Sequence, residues 1–139
     1  MPRYVIDRLR VALSEDGKPL RDAKILLLGV AYKPGVEDMR ESPALDVIEL
    51  LIEGGADVRY HDPFVPALPQ MRKHHLALGG SRPLTDELLA EADAVIVTTD
   101  HHNVDYAQVM RGTGLVLDTR NAIRPRLGEG PFNARLVLA

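Results

Sequence analysis

At 139 residues the chain has the length of one domain, and with 45% hydrophobic but only 4% aromatic residues its core must be built from aliphatic side chains. A net charge of -3 without any basic stripe argues against nucleic acid as a partner. The absence of cysteine removes disulfides and thiolate metal sites and makes a reducing cytoplasm the default compartment; no apolar run is long enough to span a bilayer, and no signal-peptide pattern opens the chain, so membrane partners are not expected.

The first predicted element is a helix over residues 2–14, where Val5, Leu9, Ala12 and Leu13 recur at helical spacing, Pro2 stands early and Gly17 follows the end. Its apolar stripe either packs on the chain's own sheet or is left partly exposed for self-association. A turn-rich connection with Gly17 and Pro19 leads into a strand over 24–30, whose unbroken apolar run suits a central parallel strand covered on both faces. A polar loop follows, then a helix over 43–53 with Ser42 as N-cap, Pro43 at the first helical position and Gly54-Gly55 as the stop.

Lys33 and Arg40 are the two cations of that loop. In an open α/β sheet the loop lies where ligands bind, and a phosphate beside the helix N-terminus would meet free backbone donors as well as these side chains. The alternative is a solvated loop in which both pair with Glu37, Asp38 and Glu41.

A second strand, 57–61, ends in Asp62-Pro63. In dinucleotide-binding folds an acid at this place meets ribose hydroxyls. Here the first loop is not glycine-rich and Asp-Pro is itself a turn signal, so Asp62 is predicted to be a cap or turn residue. Residues 64–83 read as an irregular surface segment. The adjacent His74 and His75 lack any partner at metal-ligand spacing, so solvated side chains and no metal site are predicted.

A helix over 85–92 follows, with Thr85 as cap and Leu88 and Leu89 inward; a third strand over 94–98 then delivers Thr99, Asp100, His101 and His102 to the rim that Lys33 occupies. An imidazole such as His101 at a strand end can serve acid–base work. Asp105 is predicted to cap a short helix through Val109 and Met110. A fourth strand over 115–117 has Asp118, Thr119, Arg120 and Asn121 at its exit, and the planar fork of Arg120 suits a phosphate or a sugar-hydroxyl network. Beyond Arg124 an irregular tail is expected, with a short edge strand at 135–139.

The stretch K-I-L-L-L-G-V-A-Y-K-P-G-V-E-D-M-R-E-S-P-A-L-D-V-I at 24–48 is followed by A-D-V-R-Y-H-D-P at 56–63, V-I-V-T-T-D-H at 95–101 and L-V-L-D-T-R-N at 115–121. Together, over nearly the whole chain, they resemble the C-terminal nucleotide-sugar-binding domain of the UDP-glucose/GDP-mannose dehydrogenase family. The fold implied is α/β, a Rossmann-like three-layer sandwich with a mostly parallel sheet, preceded by part of a long interdomain helix. Residues 1–16 would be the end of that interdomain and dimerisation helix, which M-P-R-Y-V resembles, and 17–139 the UDP-binding domain.

The activity implied is oxidation of the C6 hydroxymethyl of a UDP-sugar to a carboxylate with two NAD, through a cysteine that carries a thiohemiacetal and then a thioester. This chain has no cysteine, and no G-x-G-x-x-G follows a strand. It is therefore expected to be a fragment with no catalytic residue of its own, inactive alone, whose partners are a UDP-sugar, NAD, a missing N-terminal NAD-binding domain and a second copy across the interdomain helix. Carried over by motif, Lys33 contacts the nucleotide-sugar with Tyr32 beside it, Arg40 reaches across the cleft to NAD, and Arg120 contacts the substrate, often from the partner subunit.

Pro34 and Gly35 depart from the lysine and acid that the family often has, while the form of the motif is closer to members acting on UDP-N-acetylhexosamines. Because the family's chemistry sits elsewhere, His101 is expected to be structural or substrate-lining. The competing function is a non-catalytic nucleotide-binding or regulatory α/β module. A receiver-like module fits poorly, because Ala31-Tyr32-Lys33 stands where it needs paired acids.

Overall fold

The computed structural model describes residues 2–31, 42–68 and 78–139; Tyr32, Lys33, Arg40 and the His74-His75 pair lie outside the described residues. In chain order the elements are α1 (Pro2–Glu15), β1 (Lys24–Leu28), α2 (Pro43–Glu53), β2 (Asp57–His61), α3 (Asp86–Glu91), β3 (Ala94–Val97), α4 (Tyr106–Gly112), β4 (Leu115–Asp118), α5 (Arg124–Leu127) and β5 (Arg135–Leu138). The strands form one sheet in the order β2-β1-β3-β4-β5, and every pairing is parallel.

The alternation of side chains along each strand divides the core into two layers. Ile25 and Leu27 of β1, Ile96 of β3 and Leu115 and Leu117 of β4 pack with α1 and α2 on one face. Leu26, Leu28, Val95, Val97 and Val116 pack with α3, α4 and the residues around α5 on the other. The expected three-layer α/β sandwich is what forms. Burial of one such leucine contributes about 2 kcal/mol, and β1 buries Ile25, Leu26, Leu27 and Leu28 together. That double-sided burial is why the unpatterned apolar run takes a central position in the sheet.

Helix boundaries follow local chemistry. The Ser42 hydroxyl accepts from the Ala44 N–H at 3.3 Å while donating to the Val30 carbonyl at 2.6 Å, so one side chain both caps α2 and ties it to the β1 exit. Thr85 and Asp105 accept from the N–H groups of Leu88 and Gln108, each at 3.1 Å. The region after residue 123 differs from the irregular tail expected. Leu127 donates to the Ile123 carbonyl at 2.8 Å and Gly128 to that of Arg124 at 2.9 Å, closing the short helix α5. Pro125 fits its first turn, where no N–H is required, and Gly128 ends it at φ 77°.

The stripe of α1 is buried within this chain, through Val5, Ile6, Leu9, Ala12 and Leu13, and the helix packs against α2. Two arginines strap it to the last strand: Arg8 Nη2 donates to the Leu138 carbonyl at 3.1 Å, and Arg135 Nη2 donates to that of Ala12 at 2.7 Å. Tyr4 and Val11 lie outside the stripe, each about half exposed at 51% and 53%.

At the opposite edge of the sheet from the strand exits, Asp93 joins the starts of β1 and β3. Its carboxylate accepts from the Lys24 N–H at 2.8 Å and from Lys18 Nζ at 3.1 Å. Burial, the largest single influence, would raise its pKa. The Lys24 N–H together with the hydrogen bond and charge of Lys18 outweighs that and holds the carboxyl below its ordinary value. A carboxyl lowered on folding stabilises above its unfolded pKa, and that contribution is lost as pH falls through the folded one. Asp93→Ala should therefore cost about 1–2 kcal/mol in urea unfolding at pH 7. The gap to wild type should narrow below about pH 4.

Candidate functional site

The chain leaves β1 toward β2 on one side and then crosses back to β3 on the other, so the sheet reverses its direction of growth between β1 and β3. Beyond the carboxyl ends of those strands the connections diverge, which is where open α/β sheets bind ligands. The strand exits here are in close contact. Gly29, at φ +87°, lies so near Thr99 that a Cβ on it would meet the Thr99 Cβ at 2.4 Å, and only glycine permits both the dihedral and the approach. Thr99 Oγ1 donates to the Ala31 carbonyl at 2.7 Å, and Thr98 Oγ1 to that of Leu28 at 3.1 Å.

Asp62, at the β2 exit, is buried and turned inward. Its Oδ2 accepts from the Val30 N–H at 2.9 Å, the Ala31 N–H at 3.1 Å and His101 Nε2 at 3.0 Å, while Oδ1 accepts from the Phe64 N–H at 2.8 Å. A carboxylate accepts only, so His101 carries its proton on Nε2. Asp62 is thus a cap that joins strand exits, and with 1% exposure it has no face for a ribose.

His101 is equally buried. Its ring packs on Phe64 with centroids 4.9 Å apart, and its carbonyl accepts from the Tyr106 hydroxyl at 2.9 Å. Of the expectations for this residue, a structural role fits and substrate-lining does not. Burial pushes the Tyr106 phenol up to about 12, with the charges of Asp100 and Asp118 adding to the rise and that of Arg126 opposing it. Tyr106 therefore stays a neutral hydrogen-bond donor rather than an acid–base group.

At the β4 exit a second buried carboxylate repeats the arrangement. Asp118 Oδ1 accepts from the Arg120 N–H at 3.0 Å, and Oδ2 accepts from those of Ala122 at 2.8 Å and Ile123 at 3.0 Å. The turn so formed places Asn121 in the left-handed region at φ 53°, which asparagine tolerates. Thr119 Oγ1 fastens it to β3 by donating to the Val97 carbonyl at 2.6 Å. Arg120 is left exposed, and among the described residues its guanidinium makes no hydrogen bond or ion pair. It borders a concavity of about 520 Å³ lined also by Asp100, Asp118, Thr119, Asn121, Leu138 and Ala139.

Beside this, Arg126 lies 4.8 Å over the Tyr106 ring and donates to the carbonyls of Ala122 at 2.9 Å and Asp100 at 3.3 Å, tying the β3 exit to α5. Among the described residues no group of three or more His, Cys, Asp or Glu side chains is placed to hold a metal.

Of the four residues predicted to bind, the described structure thus places Arg120 alone, at the rim; Tyr32, Lys33 and Arg40 lie outside the described residues. Two features went unforeseen: Asp118 as the organiser of the Arg120 turn, and the pairing of Asp62 with His101. The local signal for both acids was an aspartate directly after an apolar or alternating strand, followed by turn formers in D-P and D-T-R-N. No local signal existed for the histidine.

The profile of the UDP binding domain of the UDP-glucose/GDP-mannose dehydrogenase family matches residues 26–125. A UDP-glucose 6-dehydrogenase of Haloferax volcanii is 34% identical over 131 residues, which are 91% of this chain and 28% of that protein. A UDP-N-acetyl-D-mannosamine dehydrogenase of Pyrococcus horikoshii is 29% identical over 129 residues, 89% of this chain and 28% of that one. The solved structure of the Pyrococcus horikoshii UDP-D-ManNAc dehydrogenase superposes with a TM-score of 0.74 at 26% identity, over 99% of this chain and 30% of its own. That of a Pyrobaculum islandicum UDP-glucose dehydrogenase gives 0.71 at 29% identity, over 99% and 29%. The chain spans less than a third of the length of these relatives.

Removing the Asp118 carboxylate would strand the three backbone donors it satisfies. Asp118→Ala should lower stability by about 2–4 kcal/mol in urea unfolding. The largest amide shift changes in a ¹H–¹⁵N spectrum should fall on Arg120, Ala122 and Ile123, and changes spread evenly over the sheet would contradict this account of the turn.

Proposed function

We propose a function from one premise: this chain belongs to the UDP-glucose/GDP-mannose dehydrogenase family, as its UDP-binding domain. In that role it holds the nucleotide part of a UDP-sugar at the carboxyl edge of its sheet. A separate NAD-binding half oxidises the C6 hydroxymethyl of the sugar to a carboxylate, with two NAD as acceptors.

The observation that carries this reading is the setting of Arg120. An exposed guanidinium without a partner among the described residues stands on a turn locked by a buried carboxylate, over a polar concavity at the ligand-binding edge of the fold. A fork of N–H donors held in this way matches the oxygens of a diphosphate and loses little freedom on binding. Asn121, Thr119 and Asp100 supply donors and acceptors for a ribose or a base in the same concavity. Lys33, with Tyr32 beside it, is assigned the second contact to the nucleotide-sugar, by motif.

NAD has no cradle among the described residues. The amides of Val30 and Ala31, which in a dinucleotide fold would face a pyrophosphate, already donate to Asp62, and that carboxylate brings negative charge to the same place. NAD is therefore assigned to the other half, with Arg40 the residue of this chain that reaches it. The chain also holds no cysteine to carry an acyl intermediate, so the covalent chemistry is assigned there too.

Relatives of both the UDP-glucose and the UDP-N-acetyl-D-mannosamine kind match this chain. The Y-K-P-x-V-x-D-x-R-E-S-P-A-L form favours a UDP-N-acetylhexosamine. A homodimer is proposed through the side of α1 that carries Tyr4 and Val11. A cytoplasmic place is proposed from the lack of cysteine, and no described helix is long and apolar enough to cross a membrane.

Calorimetric titration tests the binding role. The isolated chain should bind UDP at roughly 0.1–1 mM, because a site completed by another domain offers part of its contacts. Lys33→Ala and Arg120→Ala should each weaken UDP about tenfold while leaving uridine nearly unaffected. With NAD and a UDP-sugar the chain alone should form no NADH. Turnover by it, or equal affinity for UDP and uridine, would refute the assignment.

A further inference from the structure

Asp62 and His101 are both ionisable, both fully buried, and in direct contact at 3.0 Å, although 39 residues separate them in sequence. A buried charged or polar pair is a poor source of net stability, since desolvation offsets most of the attraction and apolar side chains of the same volume close a core as well. What this pair accomplishes is geometrical. Asp62 leaves β2, His101 follows β3, and the carboxylate between them holds the Val30 and Ala31 amides where the chain leaves β1. Three strand exits are thereby fixed around one oxygen atom at the point where the sheet reverses direction.

His101 is itself held on two sides, by Phe64 against its ring and by the Tyr106 hydroxyl on its carbonyl. A donor fixed in this way sets the rotation of the Asp62 carboxylate, and through it the heading of the backbone at Val30 and Ala31. Without the Nε2–H, Oδ2 keeps its two amide donors and Oδ1 that of Phe64, but the tie from the β3 exit to this junction is lost.

We propose that Asp62 and His101 are positioning residues of the nucleotide site: they touch no ligand, and they set UDP affinity by fixing the β1 exit. This rests on the UDP-binding reading given above. It adds a role for two buried side chains that supply no contact of their own.

The test uses the whole chain with UDP as the titrant. His101→Ala should remain folded, weaken UDP about tenfold as the rim is misplaced, and move the ¹H–¹⁵N resonances of Val30 and Ala31 ahead of others. His101→Gln, whose amide places an N–H near the lost Nε2, should restore affinity to within about threefold. Leu89→Ala, a core truncation on α3, should lower stability comparably and leave UDP affinity as in wild type. If His101→Ala does not fold, the isosteric Asp62→Asn takes its place with the same expected loss.

Wild-type UDP affinity in the folded His101 or Asp62 variant would overturn the proposal, as would an equal loss in Leu89→Ala or failure of His101→Gln to restore binding. A wild-type chain that binds no UDP overturns the assigned function and this inference with it, and the wild-type titration alone identifies that case.

Discussion

One oxygen atom, Asp62 Oδ2, does more to shape the carboxyl edge of this sheet than any apolar contact. Hydrophobic burial brings β1, β2 and β3 together, but it is non-directional and leaves their exits free to splay. Hydrogen bonds to a charged acceptor are short, directional and roughly twice as strong as neutral ones. With three donors on Oδ2 and a fourth on Oδ1, the desolvated carboxylate is fully engaged. The close approach of Gly29 to Thr99 beside this junction requires the glycine, since a side chain there would push the β1 and β3 exits apart.

Asp118 applies the same principle one strand further on. There a buried carboxylate gathers the amides of Arg120, Ala122 and Ile123, and the turn it makes presents Arg120 outward and starts α5. The rim thus has an inner layer of acids that consumes backbone donors and an outer cation available to a ligand. This division of labour commits the two buried carboxylates, Asp62 and Asp118, to internal donors. The concavity itself is lined by Asp100 as well as by Arg120.

It also separates this domain from the dinucleotide-binding arrangement built on a similar sheet. In that arrangement the backbone amides after the first strand meet the pyrophosphate and a glycine-rich turn permits the approach. Here those amides are occupied by Asp62, and the single glycine of the exit serves the contact with β3. A phosphate at this edge would be left to side chains, in keeping with the UDP binding domain of the family.

Much of the scaffold was legible from local sequence. The Ser42-Pro43 start and the Gly54-Gly55 stop of α2, the caps at Thr85 and Asp105, and the central place of the run Ile25–Leu28 all follow from interactions within a few residues or from continuous apolarity. Motif spacing likewise marked the family. Tertiary structure alone decided that His101 completes Asp62, that the α1 stripe is buried on α2 within this chain, and that a four-residue helix follows residue 123. The physical reason is one of range: caps, turns and periodicity are written between near neighbours, whereas the partner of a buried carboxylate is fixed only when strand order brings distant exits to the same edge.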